Sequence, residues 1–328
     1  VRFGMAASLD AWDVLLTAMT KNGYTKSELL DAGLVVQNKN GGLYDKFRNR
    51  LMLPVIDTRG DVVAFGSRVL DKSEPKYMNS SETPVYSKRR VLYGLNLAKK
   101  SKRPNIILCE GNLDIVTLHQ AGFDNAVASM GTALTVEQTR LLSRFTKELV
   151  LCYDNDNAGK IATERALQIL NGSEFSVKVL QLPRRLVDGE YIKQDADDFI
   201  KLQGPDAFER LLNGSENGVE FRMAQIAGKY DLKDDEARIA YCGEVSELLA
   251  SLPGAVEREI YTGRAAEAAG ITAEAMKLEV QRSFKRRIAR EKRAELRKDL
   301  NPAMALQPKE RSLRFENMRS AEAEKGIL

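Results

Sequence analysis

The sequence predicts a mixed α/β protein. A doubly wound parallel sheet is expected over residues 103–203, with an α+β subdomain before it (1–102), a helical subdomain after it (204–285), and a basic helix and linker last (286–328). Three observations carry this. Between residues 103 and 200, short apolar runs alternate with helical segments of ten or more residues, which is the pattern of parallel βαβ units. Ahead of them, two apolar runs flank the turn Thr58-Arg59-Gly60-Asp61, as in an antiparallel hairpin. After Gly204-Pro205 the apolar spacing becomes helical.

The elements follow in order. "LDAWDVLL" reads as an amphipathic helix with Trp12 anchoring it in a core, and "LMLPVID" and "DVVAFGSRV" as the two arms of the hairpin. "NIILC" is a short strand that stops at Glu110-Gly111; "NLDIVTLHQAG" is a helix that exits at Gly122. "NAVASM" is a second strand. In the helix that follows, Thr135 and Gln138 form a capping box. "ELVLCY" is a third strand, "NAGKIATERALQILNG" a third helix and "FSVKVLQLP" a fourth strand. "DAFERLLNG", "ARIAYCGEVSELLASL" and "VEREIYTGRAAEAAG" are helices, and a last one, N-capped by Thr272, becomes strongly basic before "NPAMALQPKERS" breaks it.

Composition narrows the function. No apolar run approaches the roughly 18–20 residues that cross a bilayer, and "VRFGMAASLD" lacks a secretory layout, so a cytoplasmic protein is expected. Cys109, Cys152 and Cys242 are isolated and His119 is the only histidine, so neither zinc nor a disulfide framework is expected; His119 reads as a surface or packing residue. The net charge is +4, but residues 46–103 hold 14 Lys/Arg against 5 acids, and 282–298 hold 9 against 2. A basic region beside an acidic cluster fits a polyanion held next to a metal.

The acids carry the chemistry. Sites in open α/β sheets form beyond the carboxyl ends of the strands. Glu110 ends the first strand, with Asp114 four residues on; Asp154 and Asp156 follow the third; Asp195, Asp197 and Asp198 follow the fourth. "DNDNAG" admits three readings. A calcium loop starting at Asp154 places Ala158 and Arg165 at its fifth and twelfth positions, where oxygen ligands are required. A helix cap accounts for one carboxylate but not for Glu110. A hard cation such as Mg2+ removes the repulsion of converging carboxylates, and Gly111 and Gly159 let backbone pass close to it.

"CEGNLD", "SMGTALT" and "YDNDNAG" resemble the Toprim signature of primases, topoisomerases and some nucleases. "YDKFRNRLMLPVIDTRGDVVAFGSRVL", "PKYMNSSETPVYSKRRVLYGL" and "DADDFI" narrow this: residues 1–282 are similar to the RNA polymerase core of bacterial DnaG-type DNA primases. The resemblance implies a catalytic cluster of Glu110, Asp114, Asp154, Asp156 and Asp195. Of these, Glu110, Asp154, Asp156 and Asp195 hold Mg2+, for which Mn2+ can substitute, and Glu110 is either a ligand or a proton acceptor. It also implies a basic groove of Arg48, Arg50, Arg68, Lys76, Tyr77, Asn79 and Lys88, with Arg48 and Arg50 alternating along one strand face. The implied partners of a monomeric protein are single-stranded DNA template, NTPs and RNA primer at the replication fork. A replicative helicase is expected to bind through a domain beyond this sequence, towards which "PKERSLRFENMRSAEAEKGIL" leads. Three positions depart from the family: Asn112 replaces an aromatic residue, Asn155 a glycine and Ala196 a proline. The alternatives are a Toprim nuclease and a DNA-binding adaptor without chemistry; the adaptor predicts eroded carboxylates, whereas all are present.

Overall fold

The computed structural model describes residues 3–131, 133–187 and 190–300; the expected linker over 301–328 lies outside the described residues. The chain divides into two compact units, Val1–Arg222 and Met223–Leu328. Among the described residues no helix is long and apolar enough to cross a membrane.

The first unit opens with β1 (Ala6–Ala7), α1 (Val14–Lys21), α2 (Lys26–Asp31), β2 (Val35–Gln37), β3 (Leu43–Asp45), β4 (Arg50–Ile56), β5 (Val62–Val69), β6 (Tyr77–Asn79) and α3 (Leu95–Ala98). The predicted hairpin is β4–β5, the centre of an antiparallel sheet ordered β1-β4-β5-β6. Trp12 departs from expectation. It precedes α1 and is 65% exposed, because the helix begins only at Val14, where the Asp45 carboxylate accepts the Leu15 and Leu16 N–H groups.

Next come β7 (Asn105–Cys109), α4 (Asn112–Gln120), β8 (Ala126–Ala128), α5 (Val136–Leu142), β9 (Glu148–Leu151), α6 (Asn157–Leu170), β10 (Ser176–Val179), β11 (Arg185–Val187), β12 (Glu190–Ile192), α7 (Ala196–Gln203), α8 (Pro205–Asn213) and β13 (Glu216–Asn217). Strands β10-β9-β7-β8 are parallel, and β13 adds an antiparallel edge beside β10. The strands read as unbroken apolar runs because both faces are covered. Ile107, Val150 and Ala128 pack with Ile115, Phe199 and Phe208 of α4, α7 and α8, while Ile106, Leu108, Leu149 and Leu151 pack with Leu142, Ala166 and Leu170 of α5 and α6. The capping box at Thr135 and Gln138 is formed, and the Gln138 amide also donates to the Lys88 and Val91 carbonyls at 3.0 Å, which joins α5 to the segment after β6. The helical subdomain expected from 204 starts later. Phe208 and Leu212 of α8 bury themselves in the core of the first unit, and the division falls at Arg222.

The second unit packs α10 (Asp235–Ala250), α11 (Ala255–Ala269) and α12 (Ala273–Leu300) against one another, after α9 (Gly218–Ala227). Tyr241, Val245, Leu249, Ala265, Ala269 and Met276 are buried, and Ala275 N–H bonds the Thr272 hydroxyl at 3.3 Å, as the predicted cap requires.

Candidate metal centre and nucleic-acid groove

Two strand ends and one helix start deliver the acids; the expected third arm does not leave the end of β10 but follows the separate β11–β12 hairpin. Glu110 follows β7 directly, and Asp114 lies in the first turn of α4, buried. Gly111 between them leaves room for that carboxylate, since a Cβ there would lie 2.6 Å from Asp114 Oδ2. After β9, Asp156 caps α6: its Oδ1 accepts the Gly159 N–H at 2.8 Å. A Cβ on Gly159 would meet the Asp154 carbonyl oxygen at 1.9 Å, so only glycine lets α6 start this close to Asp154. Asp195 caps α7, with Oδ1 accepting the Asp198 N–H at 2.7 Å.

Hydrogen bonds gather these acids into two groups. Glu110 Oε1 accepts the Asp154 N–H at 3.3 Å, and Lys193 Nζ sits 3.1 Å from Asp154 Oδ2 and 3.0 Å from Asp156 Oδ2. In the second group, Asp114 Oδ1 accepts the Asp197 N–H at 3.2 Å. Asp197 is occupied in joining α4 to α7: Thr117 donates to its Oδ1 and Lys201 to its Oδ2, both at 2.5 Å. Asp195, Asp197 and Asp198 are the set of three acids whose ligand atoms lie within 4.8 Å of one another among the described residues; the four ligands expected from sequence share only Asp195 with it.

The charge on the rim is under-compensated. Burial, then Asp195, pushes the Asp114 carboxyl up to about 7. Burial, then Asp154, pushes Glu110 up as well. Asp156 is instead held down by the Gly159 N–H and by Lys193. An all-carboxylate donor set in which Asp154 raises the proton affinity of Glu110, and Asp195 that of Asp114, suits a hard, oxygen-seeking divalent cation.

A basic, aromatic edge stands beside the rim. Arg68 on β5 and Tyr77 on β6 face each other in register; the guanidinium lies 5.7 Å from the Tyr77 ring and the Lys76 ammonium 5.6 Å from it. Burial raises the Tyr77 hydroxyl pKa, Arg68 lowers it, and Asp114, Asp195 and Asp197 raise it further, so this edge lies within the field of the acids. A groove of about 500 Å³ is lined by Arg68, Lys72 and Lys76, with Asp71 and Glu74 also on its wall. Asn79 lies at the seam, its amide donating to the Met130 carbonyl at 3.3 Å. Lys88 lies close enough to Lys46 that, after burial, it is the second cause depressing that amine.

Arg48 and Arg50 do not alternate on one strand face. The strand begins at Arg50, and Asn49 has left-handed backbone (φ 51°), which breaks the alternation. Arg48 stacks 4.1 Å from the Trp12 ring and donates to the Asp45 carbonyl. Arg50 is 5% exposed and donates to the Pro75 carbonyl, so its guanidinium holds the β5–β6 connection rather than facing solvent.

Two lysines went unnoticed in the sequence. Lys193 in "YIKQDADD" precedes the third acidic arm by two residues, a signal visible in hindsight; Lys46 carried no signal beyond its charge. The departures from the family gain physical accounts. Asn155 donates to the Leu182 carbonyl at 3.0 Å, which ties the loop after β9 to the segment after β10. The Asn112 amide packs against Gly66, where a Cβ would stand 2.5 Å from it. Ala196 is the first residue of α7, a position where proline is also favoured.

Comparison with known proteins identifies the family. Residues 1–99 match the family model of the DNA primase catalytic core, N-terminal domain, and 107–200 match the Toprim-like model. Residues 219–274 match the DnaB-helicase binding domain of primase. That last match corrects the expectation that any such region lies beyond the chain; apolar helix periodicity alone does not distinguish it from a generic bundle. The DNA primase of Clostridium acetobutylicum is 42% identical over 276 residues, 84% of this chain and 45% of that protein. The Listeria monocytogenes enzyme is 37% identical, over 77% of this chain and 40% of its own length. The chain thus spans less than half the length of these relatives. Among solved structures, a DNA primase domain from Pseudomonas aeruginosa superposes with TM-score 0.72 at 34% identity, covering 85% of this chain and 87% of that one. The E. coli primase catalytic core gives 0.70 at 33%, covering 83% and 86%. A DnaG primase catalytic domain bound to single-stranded DNA gives 0.71 at 32%, covering 84% and 85%. With this sequence identity over nearly the whole of a solved catalytic core, and with the Toprim acids at its sheet rim, the chain belongs to the DnaG-type DNA primase family as its catalytic core.

Proposed function

We propose that this chain catalyses template-directed synthesis of short RNA primers on single-stranded DNA, in the cytoplasm at the replication fork. The observation that carries the reading is the two acid groups, Glu110 with Asp154 and Asp156, and Asp114 with Asp195, beside the Arg68–Tyr77–Lys76 edge. Asp154, Asp156 and Asp195 would hold Mg2+, with Mn2+ able to substitute. Such a cation supplies neutralisation of triphosphate charge and polarisation of the reacting oxygens. The reaction joins the primer 3′-oxygen to the α-phosphorus and releases pyrophosphate.

The protein groups have distinct parts. Glu110, half-buried and with a raised proton affinity, accepts the 3′-hydroxyl proton. Asp114 holds the Asp197 N–H and so positions the α7 arm that carries Asp195. Arg68, Lys76 and Lys88 neutralise nucleic-acid or NTP phosphates, and the 53% exposed Tyr77 offers a face for a base. Asn79 positions the seam, while Arg48 and Arg50 support the groove through its scaffold. Residues 219–274 would contact the replicative helicase. The test is oligoribonucleotide synthesis from NTPs on single-stranded DNA with Mg2+ or Mn2+. Asp154→Ala and Glu110→Gln are expected to abolish it. Arg68→Ala and Lys76→Ala should weaken DNA binding and each flatten the log–log salt slope by about 0.7. Wild-type synthesis by the acid variants, or NTP-independent nucleotide release from DNA, would overturn the reading.

A further inference from the structure

The outward oxygens of the Asp154–Asp156 pair are already occupied. Asp156 spends Oδ1 on the Gly159 N–H, which leaves Oδ2 to face out, and Oδ2 lies 3.0 Å from Lys193 Nζ. Asp154 Oδ2 lies 3.1 Å from the same nitrogen. A cation bridging these two oxygens therefore competes with an ammonium already there. Lys193 is suited to such an exchange. Its side chain is 56% exposed, so its stem can swing into water without unfolding anything, whereas Asp154 and Asp156 are 24% and 36% exposed and anchored at strand and helix ends. A lysine head is a compact, strongly hydrated point charge rather than a rigid fork, and it releases carboxylates more readily than arginine does.

The adjoining residue points the same way. The Gln194 side chain is 3% exposed, and neither its amide nitrogen nor its oxygen has a hydrogen-bond partner. A buried amide left unpaired is costly, so the segment between Lys193 and Asp195 stands in an arrangement that a rearrangement can improve.

We infer that Lys193 is the built-in counter-ion of the Asp154–Asp156 pair and is displaced when a divalent cation binds, so that this lysine sets the metal affinity of the site. The inference rests on the reading of Asp154 and Asp156 as metal ligands. Without metal the ammonium relieves repulsion between the two carboxylates; with metal, its departure is a fixed cost subtracted from the affinity. A mid-range exposed charge pair is worth about threefold, so the two factors multiply to roughly tenfold.

The experiment titrates Mn2+ into the full chain at low salt, followed by electron paramagnetic resonance of the free ion. Lys193→Met, Lys193→Gln, Lys193→Arg and Asp156→Asn are compared with the parent. Lys193→Met and Lys193→Gln should each bind Mn2+ about tenfold more tightly, and the gain should shrink as salt is added. Lys193→Arg should bind Mn2+ no more tightly than the parent and somewhat more weakly, by about twofold. In thermal melts, Lys193→Gln should unfold at a lower temperature than the parent in EDTA and gain more from saturating Mn2+. Unchanged or weaker Mn2+ binding by both neutral variants overturns the counter-ion role. If Asp156→Asn binds Mn2+ as the parent does, the ligand reading beneath it fails instead.

Discussion

Asp156 is asked to do two things, and two substitutions separate them. Its Oδ1 caps the 14-residue α6 at 2.8 Å from the Gly159 N–H, while its Oδ2 faces Lys193 and the proposed metal position. Asp156→Ala removes the cap, at about 1 kcal/mol within a range of roughly 0.5–2. It also removes a carboxylate from a helix N-terminus, at about 0.3–1 kcal/mol. The exposed pair with Lys193 adds at most about 1 kcal/mol, and relief of repulsion on Glu110 offsets part of it. The sum is about 1–2 kcal/mol, which in a unit of this size lowers Tm by about 2–8 °C. Asparagine caps as well as aspartate. Asp156→Asn should therefore melt within about 3 °C of the parent in EDTA. Both variants should lose at least the roughly 10- to 100-fold in Mn2+ affinity that supporting partners of a metal site are worth. The assays are far-UV circular dichroism melts and Mn2+ titration. An asparagine variant that melts with the alanine variant refutes the cap; one that binds Mn2+ like the parent refutes the ligand.

The other predictions test packing and charge. Gly159→Ala places a methyl group 1.9 Å from the Asp154 carbonyl oxygen, and because that contact is backbone the loop must move. It should cost about 1–3 kcal/mol in thermal unfolding and weaken Mn2+ binding although no ligand is removed; a parent-like melt would show that the loop is not held as described. Glu244 accepts from Lys229 and, at 2.8 Å, from the Tyr230 hydroxyl, and the Lys229 bond foremost holds its carboxyl below the usual glutamate range. Its contribution is present above the unfolded pKa of about 4.3 and is lost as pH falls through the lower folded value. The stability gap between the parent and Glu244→Gln, read from thermal melts, should thus be widest near neutrality, no more than about 1 kcal/mol, and close in acid. A gap independent of pH would sink the charge argument.

Much of this protein was legible because its signals are local. Each central strand is buried on both faces, so it had to be an unbroken apolar run, and "NIILC" and "ELVLCY" could be read without a structure. The Thr135–Gln138 box and the Thr272 cap are satisfied within one turn and carry their own spacing. The places of Glu110 and of Asp154 and Asp156 were likewise readable, since parallel strands put their carboxyl ends on one side, whereas Asp195 arrives from the start of α7, beyond the β11–β12 hairpin. What the tertiary structure alone decided is which charges meet and which disappear. Arg50 looks like any groove arginine in the sequence but is buried against the Pro75 carbonyl. Trp12 looks like a core anchor but lies exposed under Arg48. Lys193, separated from Asp154 by 39 residues, sits between the two aspartates. Periodicity reports what a residue's own element requires. The partner of a long, flexible charged side chain is set by how separate elements pack, and no local pattern encodes that.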